Sequence, residues 1–449
     1  MRRSIYSTLL TLAIMALPLI HITPHAAAAG GQTLHVLAGV VGGKTPAEMT
    51  LFNQYLSKQL GFPVQMENPP QASTKLAAVI ASGSYDVVYM NLNDVLNIYP
   101  QHLLTPLDSD IAHSTLLSDK SLITPADWQQ VRAPDGKLYG AWMTTPGGRL
   151  PIVRQDWMQA LHLSTPTTLS QFEGVFTQFK QHYHAYGLDL NGIYDIQPFM
   201  SAAGVRDGYQ QVNGKWIIPY ATSAALPVYA WLNKLYRENL LDPNFVTDTT
   251  ADERSKFLTG HVGSFVYWDA WVGMLNNIAH TNDHTVSFDA EGIPPAVGPH
   301  GVQYLNTGEP ALWTIPVTSH NQTEALQFME YWLTPAGHLL GSLGLPGHDY
   351  VVTNGTYHLT ATGQLDNMDH GMPYPLGDWK NPVGYLPGFL HARAIVNKDG
   401  SLAITRSTSD AALTLEQDYI TKAILGQLSP SAAVSQLHQA LLSQHLIDQ

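Results

Sequence analysis

Trp268 and Trp271 flank Asp269 at the end of an apolar run that begins at Gly260. An indole offers a flat apolar face and a carboxylate accepts hydrogen bonds, so the trio suits a ligand with a flat C–H patch and a polar rim, as a sugar ring has. The competing reading is core packing, because tryptophan is large and commonly only partly buried. Trp142 stands in a stretch crowded with Thr, Pro and Gly and carries the same two readings. Asn91, Asn93 and Asp94 follow the run Asp86–Met90 directly. They either place amides and a carboxylate where ligands of α/β sheets lie or cap the next helix. Tyr374, Trp379 and Tyr385 lie among Pro373, Pro375, Pro382 and Pro387, which keep that segment from being a regular helix or central strand. Rings on such a loop either rim a cleft or clamp the loop to its own lobe. Trp157, Trp231 and Trp332 fall at amphipathic-helix positions and read as core.

Other chemistries find less support. The chain holds no HExxH and no G-x-S-x-G, and no catalytic residue is assigned. A carboxylate pair drawn from distant strands leaves an exported carbohydrate-active enzyme open as an alternative, and a binding protein for a peptide or another polar solute is a second. Gly39–Thr45 (GVVGGKT) approaches a phosphate-binding loop but is one residue short, so it reads as a strand-to-helix turn. With no cysteine there is no disulfide framework, thiolate metal site or lipid-bearing N-terminal Cys. A net charge of −13 opposes contact with a phosphate backbone, so nucleic acid is not an expected partner. Only 13% of residues are charged while there are 20 His, a balance suited to an acidic habitat.

These residues need elements to hold them. At 449 residues the chain exceeds one ordinary core. Arg2 and Arg3, the apolar run Leu9–Ile20 and Ala26–Ala29 read as an export signal over residues 1–29. Beyond it, a strand at Thr33–Val40, helices at Pro46–Leu60 and Ser73–Ser82 and a strand at Tyr85–Met90 alternate as in an α/β sheet domain. Helices are expected at Asp156–Leu161, Leu169–Tyr183, Ala224–Asn239, Asp252–Leu258 and Thr323–Leu333, then at Thr414–Leu425 and Pro430–Leu446.

Several segments, in this order, resemble the extracellular solute-binding proteins of family 1, in the branch that includes the LipO-like and alginate-oligosaccharide-binding proteins. They are Ala78–Val88 (AVIASGSYDVV), Asp135–Gly140 (DGKLYG), Val153–Leu163 (VRQDWMQALHL), Leu232–Phe245 (LNKLYRENLLDPNF), Phe257–Gly263 (FLTGHVG), Gly344–Tyr350 (GLPGHDY) and Tyr419–Gly426 (YITKAILG). The resemblance implies a two-lobed periplasmic-binding-protein fold of type II, α/β in both lobes, closing by a hinge around a carbohydrate destined for the permease subunits of an ABC transporter. It implies a monomer, exported to the periplasm or cell surface. Crossings near 141, 287 and 335 would give an N-terminal lobe of residues 30–141 plus 288–335 and a C-terminal lobe of residues 142–287 plus 336–449. Members of this branch often carry a calcium loop, and Asp189, Asn191 and Asp195 align with its ligands. Gly187 and Ile196 stand where two further ligands would be, so weak Ca²⁺ binding or none is expected.

Overall fold

The computed structural model describes residues 32–38, 45–67, 75–144, 147–366, 379–406 and 408–448. The expected signal, residues 39–44 of the Gly-rich turn, and Tyr374 lie outside the described residues. Where the chain is described, local signals act as the sequence suggests. The helix Pro46–Leu60 opens on Thr45, whose hydroxyl accepts the Glu48 N–H at 3.3 Å while the Glu48 carboxylate accepts the Thr45 N–H at 2.8 Å. It closes on Gly61 at φ 82, a left-handed position that glycine adopts without steric cost. Phe52 and Leu56, four apart, are its buried face.

In chain order the strands are β1 (Leu34–Leu37), β2 (Val64–Glu67), β3 (Val87–Asn91), β4 (Ala141–Thr144), β5 (Gly148–Arg154), the hairpin β6 (Gln210–Val212) and β7 (Lys215–Ile217), β8 (Ser264–Trp268), β9 (Ala290–Gly292), β10 (Leu305–Thr307), β11 (Ala311–Thr314), the hairpin β12 (Tyr350–Thr353) and β13 (Thr356–Leu359), and β14 (Gly400–Ser401). They form two main sheets. The N-terminal lobe has the order β2-β1-β3-β11-β4, with β1 parallel to both neighbours and β11 antiparallel to β3 and β4. The C-terminal lobe has the order β14-β10-β5-β8, with β9 also paired to β5. Alternation along its strands feeds two cores: Leu150, Ile152 and Phe265 face one cluster, Val153 and Val266 the other.

Strand pairing corrects the expected lobe boundaries. Residues 142–144 stay in the N-terminal sheet as part of β4, and the chain is in the C-terminal sheet from Gly148, the start of β5. Residues 288–307 belong to the C-terminal lobe, because β9 and β10 pair with β5. The second crossing is the short link between Thr307 and Ala311. Residues 336–345 remain in the N-terminal lobe, whose core takes Leu340 and Leu345, and the chain is back in the C-terminal lobe by the helix Phe389–Asp399. Three-residue strands carry too few alternating positions to register as a pattern in sequence.

Candidate functional site

The end of β3 and the link into β11 bring the two lobes together. Asn91 accepts the Tyr89 hydroxyl at 2.8 Å, and the Asp94 carboxylate accepts the Asn91 N–H at 3.3 Å, so both serve the start of the helix Leu92–Ile98. Asn93 differs: its N–H donates to Glu309 at 3.3 Å, and its side-chain oxygen is buried with no hydrogen-bond partner among the described residues. Asn93 and Glu309 form one wall of a cavity of about 170 Å³. Tyr194, Asp207, Asp410 and Glu416 of the C-terminal lobe face them. A larger groove of about 410 Å³ shares Ile193 and Tyr194 with that cavity but is walled by the C-terminal lobe alone.

Each residue of the far wall is held from behind. Asp207 accepts the Gly208 N–H and an Asn306 amide hydrogen, both at 2.7 Å. Burial raises its pKa above the usual carboxylate range. Tyr209 shares a hydrogen bond with Thr408 at 2.8 Å, and the Tyr220 hydroxyl donates to Gln197 at 3.0 Å, so both phenols point their polar ends into the wall. Glu416 is 6% exposed. No hydrogen bond or ion pair to it exists among the described residues, and burial, with Asp207 adding to it, pushes its carboxyl well above the ordinary value. Glu309 is raised by burial and by the neighbouring charges of Asp94 and Asp410.

Tyr194 reaches the cavity from the turn Gly192–Asp195, within the loop where calcium ligands were expected. Asp195 is fully buried, accepts the Asn191 N–H at 2.7 Å and is paired with the Arg149 guanidinium from β5. Asp189 is also fully buried, and the Lys256 ammonium lies 3.5 Å from it, 2.9 Å from Asp242 and in contact with Asp248. These three carboxylates are the one group among the described residues with metal-like spacing, and Lys256 already sits against all of them. The donor set therefore does not fit Ca²⁺, which needs six or more free oxygens: two cationic side chains stand where a divalent ion would neutralise the loop. Burial raises Asp189 to about 7, and burial beside Asp195 pushes Glu253 to about 10, so Glu253 is protonated at neutral pH.

The remaining sequence candidates fall outside this cavity. Asp269 is 1% exposed and its carboxylate is taken by Arg393 and the Ala270 N–H, which corrects its reading as a free acceptor. Trp142 is 6% exposed and packs in the N-terminal core, a correction to its reading as a cleft ring. Trp268 and Trp271 remain half-buried, with the Arg149 guanidinium 5.5 Å from the first ring and Arg254 4.2 Å from the second. Trp379 is half-buried 5.1 Å from the His338 ring, and Tyr385 stacks on Phe389 at 5.5 Å, so this loop packs on both lobes. Sequence reasoning passed over Tyr194, Asp207, Glu309, Asp410 and Glu416. One signal was present: Glu416 interrupts the apolar stripe Ala412, Ile420, Ala423, Ile424 of its helix.

A family model described as bacterial extracellular solute-binding protein matches residues 50–340. Lipoprotein LipO of Bacillus subtilis (strain 168) is 22% identical over 360 residues, covering 75% of this chain and 71% of that protein. The polygalacturonan/rhamnogalacturonan-binding protein YtcQ of the same organism is 26% identical over 198 residues, 41% of this chain and 39% of its own. Among solved structures, the alginate-binding protein AlgQ2 without calcium ion superposes with a TM-score of 0.70 at 18% identity, over 91% of this chain and 94% of the other. A Thermotoga lettingae ABC transporter solute-binding protein bound with α-D-tagatose gives 0.64 at 14% identity, over 92% and 99%. At these identities the two structures establish the two-lobed fold.

Proposed function

We propose, because the chain belongs to the bacterial extracellular solute-binding protein family, that it captures a sugar or short oligosaccharide between its lobes and delivers it to an ABC importer. The observation that carries the reading is the cavity whose walls come from both lobes, Asn93 and Glu309 opposite Tyr194 and Glu416. A ligand seated there touches both halves at once, so it stabilises the shut arrangement over the open one by its differential contacts. About 170 Å³ suits a single ring unit, being below the roughly 300–1,000 Å³ of drug-sized sites. The adjoining groove past Tyr194 gives further units a path. The partners are the glycan and the permease subunits that receive the shut form. The protein acts outside the cytoplasm, as a monomer and without a Cys-linked lipid, and turns over no substrate.

Tryptophan fluorescence and calorimetry against a glycan panel test the proposal. Tyr194 is 49% exposed, so Tyr194→Ala is expected to leave the melting temperature within about 2 °C, as surface changes do. Losing a ring that stacks on a sugar face, worth about 0.5–1.5 kcal/mol beyond area, is expected to weaken binding about tenfold. Unchanged affinity in Tyr194→Ala would remove this cavity as the site.

A further inference from the structure

The described cavity wall presents several carboxyl groups and no cationic side chain. Four lining residues are carboxylates, Asp207, Glu309, Asp410 and Glu416, and none is Lys, Arg or His. Asn93 adds a buried side-chain oxygen without a partner, and the hydroxyls of Tyr209 and Tyr220 are engaged with Thr408 and Gln197 in the wall. Three guanidiniums are engaged elsewhere: Arg149 is paired with Asp195, Arg206 lies over the Tyr304 ring 5.2 Å from its centroid, and Arg406 lies over the Tyr209 and Trp216 rings, 5.2 and 4.9 Å from their centroids. Glu416 is the decisive group, because it is 6% exposed, faces the cavity and has no hydrogen bond or ion pair among the described residues. A buried polar group without a partner is costly, and what it lacks here the ligand must bring.

We infer that the cavity selects a donor-rich sugar that carries no acidic group, and that uronate-containing glycans are rejected. This rests on the sugar-binding reading above. Hydroxyl groups, or the amine of a hexosamine, supply donors to the oxygens of Asn93, Glu309 and Glu416 without adding negative charge to the cavity. A uronate carboxylate brings an anion into a low-dielectric space whose described lining holds no cation to pair with it. The net charge of −13 repels oligouronates before contact as well. In this the chain differs from relatives whose names refer to polygalacturonan and alginate.

A glycan array with neutral, hexosamine and oligouronate arms, read at pH 7 with purified protein, separates the outcomes. Binding confined to the neutral arm, or to the hexosamine arm, is the expected result and tells which donor is used. Oligouronate binding of equal or higher affinity overturns the inference while leaving the sugar-binding reading intact. Silence in all three arms overturns that reading, and the inference with it. Two variants assign the effect to these residues. Glu416→Gln is expected to weaken the preferred glycan at least tenfold. Asp410→Lys, at an exposed position, is expected to raise oligouronate affinity at least tenfold; both variants binding as the parent does would overturn the role given to the carboxylates.

Discussion

Asp269 and Glu416 are both buried acids at the edge of one lobe, and their surroundings give them opposite roles. Arg393 contacts both carboxylate oxygens of Asp269, so that pair ties the helix Phe389–Asp399 to the end of β8. Glu416 has no such partner. Removing one member of a buried ion pair leaves the other uncompensated and costs about 3–5 kcal/mol; Arg393 is 27% exposed, which places the cost here toward the lower end. Asp269→Asn is therefore expected to lower the melting temperature by several degrees and to leave glycan affinity within about threefold once folded, measured by calorimetry on the same sample. A large affinity loss at unchanged stability would return Asp269 to the binding surface. Residue types alone pointed to Trp268-Asp269-Trp271 because they combine rings with an acid, but they could not show that Arg393, 124 positions away in sequence, already holds that acid.

At the scale of elements, the loop 187–196 shows how a metal-binding shape persists without suitable donors. Asp189, Asp242 and Asp248 each place a ligand oxygen within 4.8 Å of the others, and the Lys256 ammonium from the helix Thr250–Leu258 sits against all three. The loop keeps its shape and carries Tyr194 to the cavity. Taking the ammonium away should expose the latent site. Lys256→Ala is expected to destabilise the protein by about 3–5 kcal/mol, the penalty for uncompensated buried charge. Millimolar Ca²⁺ is expected to restore part of the melting temperature of that variant while leaving the parent unmoved, because only the variant offers free carboxylates. A Ca²⁺-dependent rise in the parent would contradict this account. Helices with caps were legible in the sequence to within a few residues: Pro46–Leu60 and Leu169–Tyr183 match their Thr-x-x-Glu and Thr-x-x-Gln starts. Strands β9, β10 and β14, each of two or three residues, were not legible, and with them went the second lobe boundary. The degenerate loop was visible as lost calcium ligands, whereas its replacement cations come from β5 and a distant helix.

The whole molecule inherits a pH response from these buried acids. Glu253 is pushed to about 10 by burial beside Asp195, Asp189 to about 7 by burial, and Asp207, Glu309 and Glu416 are raised, chiefly by burial. In the unfolded chain such groups lose their protons near 3.9 for Asp and 4.3 for Glu, on the order of free-peptide values. Between about pH 4 and 7 the folded state thus holds protons that the unfolded state has released, and stability falls as pH rises through that window. His338 works the other way, because burial lowers its pKa and the folded state resists its protonation below about 6.5. One histidine opposes five raised carboxylates, so the acidic side wins. The melting temperature is expected to be higher at pH 5 than at pH 7.5, read by calorimetry at fixed ionic strength, and Glu253→Gln is expected to flatten the slope because it fixes the uncharged form. A melting temperature that falls steadily from pH 7.5 to pH 5 would mean that the buried acids are ionised in the folded protein, and would take with it the charge balance assigned here to the loop and the cavity.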